Sequence, residues 1–224
     1  MSPRIPLPPP PPPVELRSWP DRRALLADRE FAMGTLGRWL LGPRRLTMFL
    51  VCCGLLQLGW ALIGVTLVGA AETAGNEQPE YLGLLVAVFV GLLGLGVFAP
   101  AVWLTVRGVR RDRVARERLL AWAALDRDAA SDARLRLPVL SASWLVLSFA
   151  LCAVGLWTAF AVPLRTDPAD GGYGVVAYGM GAALLLWVTG LTGLAKAFGH
   201  YRMAVRLTAR PGDRSASSGL PRPE

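Results

Sequence analysis

Residues 81–118 read YLGLLVAVFVGLLGLGVFAPAVWLTVRGVRRDRVARER. From 81 to 106 there is no charged side chain, and from 107 to 118 there are six arginines. At about 1.5 Å per residue, a helix over 81–106 is roughly 39 Å long, enough to cross a ~30 Å hydrocarbon core with some tilt. The abrupt change to arginine marks where that helix leaves the apolar phase.

Three more stretches repeat the apolar half of this pattern, at 46–70, 139–162 and 173–198. Lys196 is the one charged side chain inside the four. The whole chain of 224 residues is 53% hydrophobic with mean hydropathy +0.41. Soluble domains need more polar surface than that composition leaves. The expected fold is an all-α membrane protein, a four-transmembrane-helix bundle of two antiparallel hairpins.

The net charge of +8 is spread unevenly. Arginine crowds 1–45, 107–138 and the end of the chain, whereas 71–80 has none and carries Glu72, Glu77 and Glu80. The connection 163–172 sets Arg165 against Asp167 and Asp170. Lys and Arg are retained on the cytoplasmic side of short loops during insertion. This asymmetry predicts a multi-pass protein of the cell membrane, with cytoplasmic N- and C-termini facing anionic inner-leaflet lipids. A nucleic-acid partner is not needed to explain the charge. Arginine outnumbers lysine 23 to one, which together with abundant Ala, Gly, Leu and Pro suggests a GC-rich bacterial source.

The N-terminus opens on proline-rich sequence, with an apolar run that starts too late and runs too long for a cleaved leader. Cys52 and Cys53 lack the small preceding residue of a lipoprotein site. With Cys152 they lie in apolar runs and read as small packing residues.

Outward from the spans, residues 1–17 form a proline-rich, disordered arm, with Pro8–Pro13 extended as polyproline II. It serves as a stiff spacer or as a docking peptide for an aromatic groove, although Arg4 is one position out of register for the SH3-type pattern. Residues 18–45 form a juxtamembrane helix. Ser18 is the candidate N-cap, and Leu25, Ala32, Leu36 and Trp39 make an apolar stripe suited to the headgroup plane. Residues 46–106 are the first transmembrane hairpin, 107–138 an Arg-rich helical loop, and 139–198 the second hairpin. Residues 199–224 are a basic tail, largely disordered. The two hairpins share topology and aromatic placement, which fits a parallel repeat or the common geometry of any two hairpins.

Chemistry inside the membrane should show as polar groups placed there at a cost. No Asp or Glu lies in any apolar run. The one histidine, His200, lies past the last run, so no Ser-His-Asp set can be assembled. No catalytic residue, cofactor site or metal site is expected. Gln57 is the one strongly polar side chain near mid-span, and Ser148 and Thr189 fall at similar depth. These three form a candidate polar layer. Pro100 cannot donate to Gly96, so Gly94, Gly96 and Pro100 form a candidate hinge whose free carbonyl could meet Gln57. Gly83, Ala87 and Gly91, and in the last span Gly179 with Ala183 and Thr189 with Gly193 and Ala197, mark faces for close helix approach.

Two functions follow. One is a non-enzymatic scaffold or accessory subunit that binds membrane-complex partners through Arg110, Arg111, Arg113 and Trp122. The other is a small transporter or channel subunit, working as a homo-oligomer around the Gln57 layer. A path requires those polar groups to share a cavity, and a scaffold requires them packed against neighbours.

Overall fold

The computed structural model describes residues 7–73, 81–126, 138–166 and 172–208. Expectations for 1–6, for the centres of the three connections and for 209–224 fall outside these residues. Among the described residues the protein is helical, without strands. After a 3₁₀ turn at Val14–Leu16 come α1 (Arg22–Leu41), α2 (Pro43–Thr73), α3 (Tyr81–Ala123), α4 (Pro138–Arg165) and α5 (Tyr173–Thr208). The chain has four helices long and apolar enough to cross a membrane. In hydrocarbon a helix satisfies every backbone donor within itself, so a long apolar run has little alternative.

α3 is 43 residues long and continues unbroken through Pro100. At about 1.5 Å per residue it reaches roughly 65 Å, about twice a ~30 Å apolar core. Its Arg-rich half therefore extends well beyond the apolar layer. The sequence pattern had already carried this helix past 106.

The spans form a row. α2 packs on α3 and on α5, and α5 packs on α4, leaving α3 and α4 at the two edges. Glycine sets the close approaches. A Cβ on Gly94 would lie 2.9 Å from Ile63, one on Gly59 would lie 2.9 Å from the Phe98 backbone, and one on Gly91 would lie 3.1 Å from Thr66. As the α2 position rises from 59 to 66, its α3 partner falls from 98 to 91. The α3 contact face thus runs through Gly94, whereas Gly83 of the expected stripe is exposed. The α5 faces are as read: Gly179, Ala183, Thr189, Gly193 and Ala197 are all buried. Gly155 and Gly190 bring the α4 and α5 backbones together, with Gly155 under 3 Å from the Ala183 carbonyl by the same measure. The outward faces of α3 and α4 are apolar and exposed, including Leu85, Phe89, Leu92, Phe149, Trp157 and Phe160.

A cluster of buried apolar side chains lies toward the Arg-rich end, where α1 meets α3 and the ends of α4 and α5. Asp21, not Ser18, caps α1: its carboxylate accepts from the Ala24 amide at 2.8 Å. Asp is as good a cap as Ser, and it stands directly before the helical run. α1 ends where the Gly42 amide donates to the Arg38 carbonyl at 2.8 Å, and Pro43 opens α2. A Cβ at Gly42 would strike that same carbonyl.

Ala32, Met33, Leu36 and Leu40 recur at helical spacing on α1. They pack with Ala115, Leu119, Trp122 and Ala123 of α3, Trp144 of α4 and Ala197 of α5. Arg29 is buried on the same face at 1% exposure. Of the stripe read as facing lipid headgroups, Ala32 and Leu36 are covered by protein, because α3 extends far enough to receive them, whereas Leu25 and Trp39 stay partly exposed.

Candidate functional site

Two constellations are worth building from their residues: the seam between α2 and α5, and the basic end.

On α2, Cys53, Gln57 and Trp60 share one face at i, i+4, i+7 spacing. The Trp60 indole N–H donates to the Tyr178 carbonyl at 2.9 Å, and the Gln57 amide donates to the Ala182 carbonyl at 3.1 Å. The Cys53 Sγ and Thr189 Oγ1 approach to 3.7 Å. Gln57 thus binds α5, and does not bond Gly96, Ser148 or Thr189. Gln57 faces the α5 side of α2, away from α3, and on α5 it meets Ala182, about two turns from Thr189, which lies against Cys53 instead. Thr189 also donates to the Leu185 carbonyl of its own helix at 2.7 Å. Ser148 is fully buried against Gly193, and its hydroxyl has no partner among the described residues. The three residues of the expected layer are therefore split between two seams. Gly94 is a packing glycine, Gly96 has open space around it, and α3 shows no break at Pro100.

The polar groups of the α2–α5 seam face each other across the helix contact. A groove of about 460 Å³ is lined by Ala61, Gly64, Val65, Val68, Gly69 and Tyr178, a mostly apolar wall without a carboxylate or a basic side chain. Replacing Gln57 by leucine should remove one interhelical bond and lower stability by about 0.6–2 kcal/mol. The shift of the SDS-unfolding midpoint in mixed micelles measures it, and an unchanged midpoint would show that the bond contributes nothing.

At the basic end, aromatic rings and cations are interleaved. The Arg45 guanidinium lies 3.7 Å from the centre of the Trp39 ring, Arg107 lies 4.9 Å from Trp103, and Arg202 lies 5.8 Å from Phe198. An aromatic body with a cation above it suits a membrane–water boundary. Deeper in, Lys196 Nζ donates to Asp112 Oδ2 at 2.6 Å and sits 4.5 Å from the Trp144 ring. Both side chains of this pair are mostly buried, at 12% and 17% exposure. Asp112 Oδ1 has no hydrogen-bond partner among the described residues.

The candidate interaction residues divide. Arg110, Arg111 and Arg113 are exposed, and Arg113 pairs with Glu117 at 3.2 Å one turn on. Trp122, expected at the centre of an open surface, is buried at 6% exposure. Its ring packs on α1 and its N–H donates to the Pro9 carbonyl at 3.1 Å. One turn earlier, Arg118 Nη1 donates to the Pro8 carbonyl at 2.8 Å and the Leu7 carbonyl at 3.4 Å. The described part of the arm, read as disordered, is thus held against α3. Polyproline carbonyls lack internal partners and so are available to any fixed donor.

No protein-family model matches the chain, and no curated protein or solved structure shows significant similarity to it.

The sequence did not point to Lys196–Asp112 or to the Trp60 and Cys53 members of the seam. Signals existed for both. Lys196 is the one lysine, set in an apolar run, and 53, 57 and 60 share a helical face. Among the described residues no three His, Cys, Asp or Glu gather closely enough to hold a metal ion.

Proposed function

We propose that the chain is a non-enzymatic scaffold or accessory subunit of a membrane complex, with a basic face that binds partners. In this reading it is a multi-pass protein of a bacterial cell membrane. Its spans form two antiparallel hairpins, and both termini are cytoplasmic. The observation that carries the reading is the location of the packed core. α1, the extension of α3 and the ends of α4 and α5 build a compact layer at the Arg-rich end, around Met33, Leu36, Leu119 and Trp144. A chain that only threads the membrane has no need of such a layer. A rigid platform that presents Arg110, Arg111 and Arg113 does.

The Arg–aromatic pairs fit contact with anionic lipid headgroups, each basic residue near such a surface contributing about 1 kcal/mol. Gln57 and Trp60 bond across a packed seam, which favours a structural role over a path.

Crosslinking in native membranes, followed by mass spectrometry of co-purified proteins, tests the reading. Partners crosslinked through the 107–126 segment are the expected result, and recovery of the chain alone counts against it. A periplasm-only reporter fused after residue 210 should be silent, and its activity would refute the orientation.

A further inference from the structure

We infer that the Arg118–Trp122 face of α3 is a recognition surface for polyproline-II segments, now occupied in cis by the chain's own arm, and that a proline-rich segment of a partner protein engages the same donors by displacing it. This deepens the scaffold reading and rests on it.

The geometry matches in spacing. Donors one helical turn apart on α3 are about 6 Å apart along its axis. Carbonyls two residues apart on a polyproline helix are also about 6 Å apart, at about 3.1 Å per residue. The Arg118–Leu7 contact, at 3.4 Å, and the Trp122–Pro9 bond, at 3.1 Å, have this spacing, and the shorter Arg118–Pro8 bond, at 2.8 Å, reaches the carbonyl between them. Pro13, farther along, has φ −59° and ψ 158°, in the polyproline region. Proline-rich ligands generally dock on aromatic side chains, and here the aromatic group is Trp122, whose indole N–H meets a proline carbonyl.

The Trp122 donor is held by the body of the protein. Trp122 is locked by Leu36, Met33 and Leu119 in the core of the basic end. Leu7 packs against the same cluster and supplies an apolar anchor beside the carbonyl contacts. The ligand is also preformed, since proline restricts φ and lacks a donor that would compete. Neither side gives up much freedom on docking. Each contact is to backbone, so any proline-rich segment with an apolar residue at the Leu7 position meets the same requirements. The 3₁₀ turn at Val14–Leu16 and the extended residues to Asp21 connect the arm to α1. A tether that short puts the arm at an effective concentration on the order of millimolar. A partner must exceed that, which makes the arm a cover that weak ligands do not remove.

The test uses the full chain in lipid nanodiscs and a fluorescent peptide, RIPLPPPPPP, read by anisotropy. In one variant, Pro8→Gly and Pro9→Gly together loosen the arm without shortening it. The loosened chain should bind the peptide saturably, at least about tenfold more tightly than the unaltered chain. Adding Arg118→Met, which keeps the apolar stem, should weaken that binding about tenfold. Trp122→Phe, which keeps a ring in the core, should also weaken it. An equal-length peptide of one Arg followed by Gly and Ser should not bind.

No saturable binding by the loosened chain overturns the proposal, as does binding indifferent to both Arg118→Met and Trp122→Phe, or equal binding to empty nanodiscs. Dimers of the unaltered chain that the Pro→Gly changes dissolve would assign the face to a second copy's arm, and would also overturn it. Partners crosslinked through the basic face without peptide binding would leave the scaffold reading standing and remove only this inference.

Discussion

Asp112→Ala should destabilise the folded chain by about 3–5 kcal/mol, more than Lys196→Met does. The two changes break the same 2.6 Å pair. What they leave behind differs. Without Asp112, the Lys196 ammonium is mostly buried with the charges of Arg45 and Arg116 acting on it. Without Lys196, Asp112 keeps the attraction of Arg45. A buried charge that loses its one opposite partner is the costly outcome. The double change Asp112→Asn with Lys196→Met removes both charges, and it should recover most of the loss. Unfolding in mixed micelles, read by the SDS midpoint, ranks the three. If Lys196→Met proved the worse single change, the account of excess positive charge around Asp112 would be wrong.

Trp144→Ala should cost about 3–5 kcal/mol, the range for emptying a buried aromatic site. Trp144 is 1% exposed, and three elements meet on it. Its N–H donates to the Leu41 carbonyl at 3.2 Å, at the joint between α1 and α2. The Phe49 ring of α2 is 5.1 Å away, and Lys196 of α5 lies over its face. Trp144→Phe fills most of the space but strands the Leu41 carbonyl, so about 1–3 kcal/mol should go with that bond alone. A larger loss for phenylalanine than for alanine would show that the site is overpacked and not merely filled. Limited proteolysis around Gly42 gives an independent reading, because loosening Trp144 should free the α1–α2 joint.

The spans were legible because a membrane leaves one solution for a long apolar run. Helix starts at Pro43, Tyr81, Pro138 and Tyr173 fall within a few residues of the edges drawn from composition. The extension of α3 was legible too, since Arg113 and Glu117 pair one helical turn apart on its exposed side, although Asp112 turned out to be mostly buried against Lys196. Side-chain partners were a different matter. Gln57 was visible as a polar group needing a partner, but its depth alone could not decide between α3 and α5. That choice depends on the rotation of α2, fixed by Gly59 and Gly64 on opposite neighbours. The stripe on α1 was visible, yet a stripe does not state whether lipid or protein covers it. The arm was read as free because polyproline has no partner within itself. Its partners lie more than 100 positions away in sequence.

The core at the basic end also sets an order of assembly. A ribosome makes the stripe of α1 long before its partners. Met33 and Leu36 must wait for Leu119, then for Trp144, then for Ala197 near the end of the last helix. At about 5–20 residues per second the interval from α1 to Ala197 is roughly 8–30 s. Through that interval the stripe on α1 is only partly covered, one partner helix at a time. Ala197 is the last member of this layer to be made, so the layer is complete only once most of α5 has been synthesised.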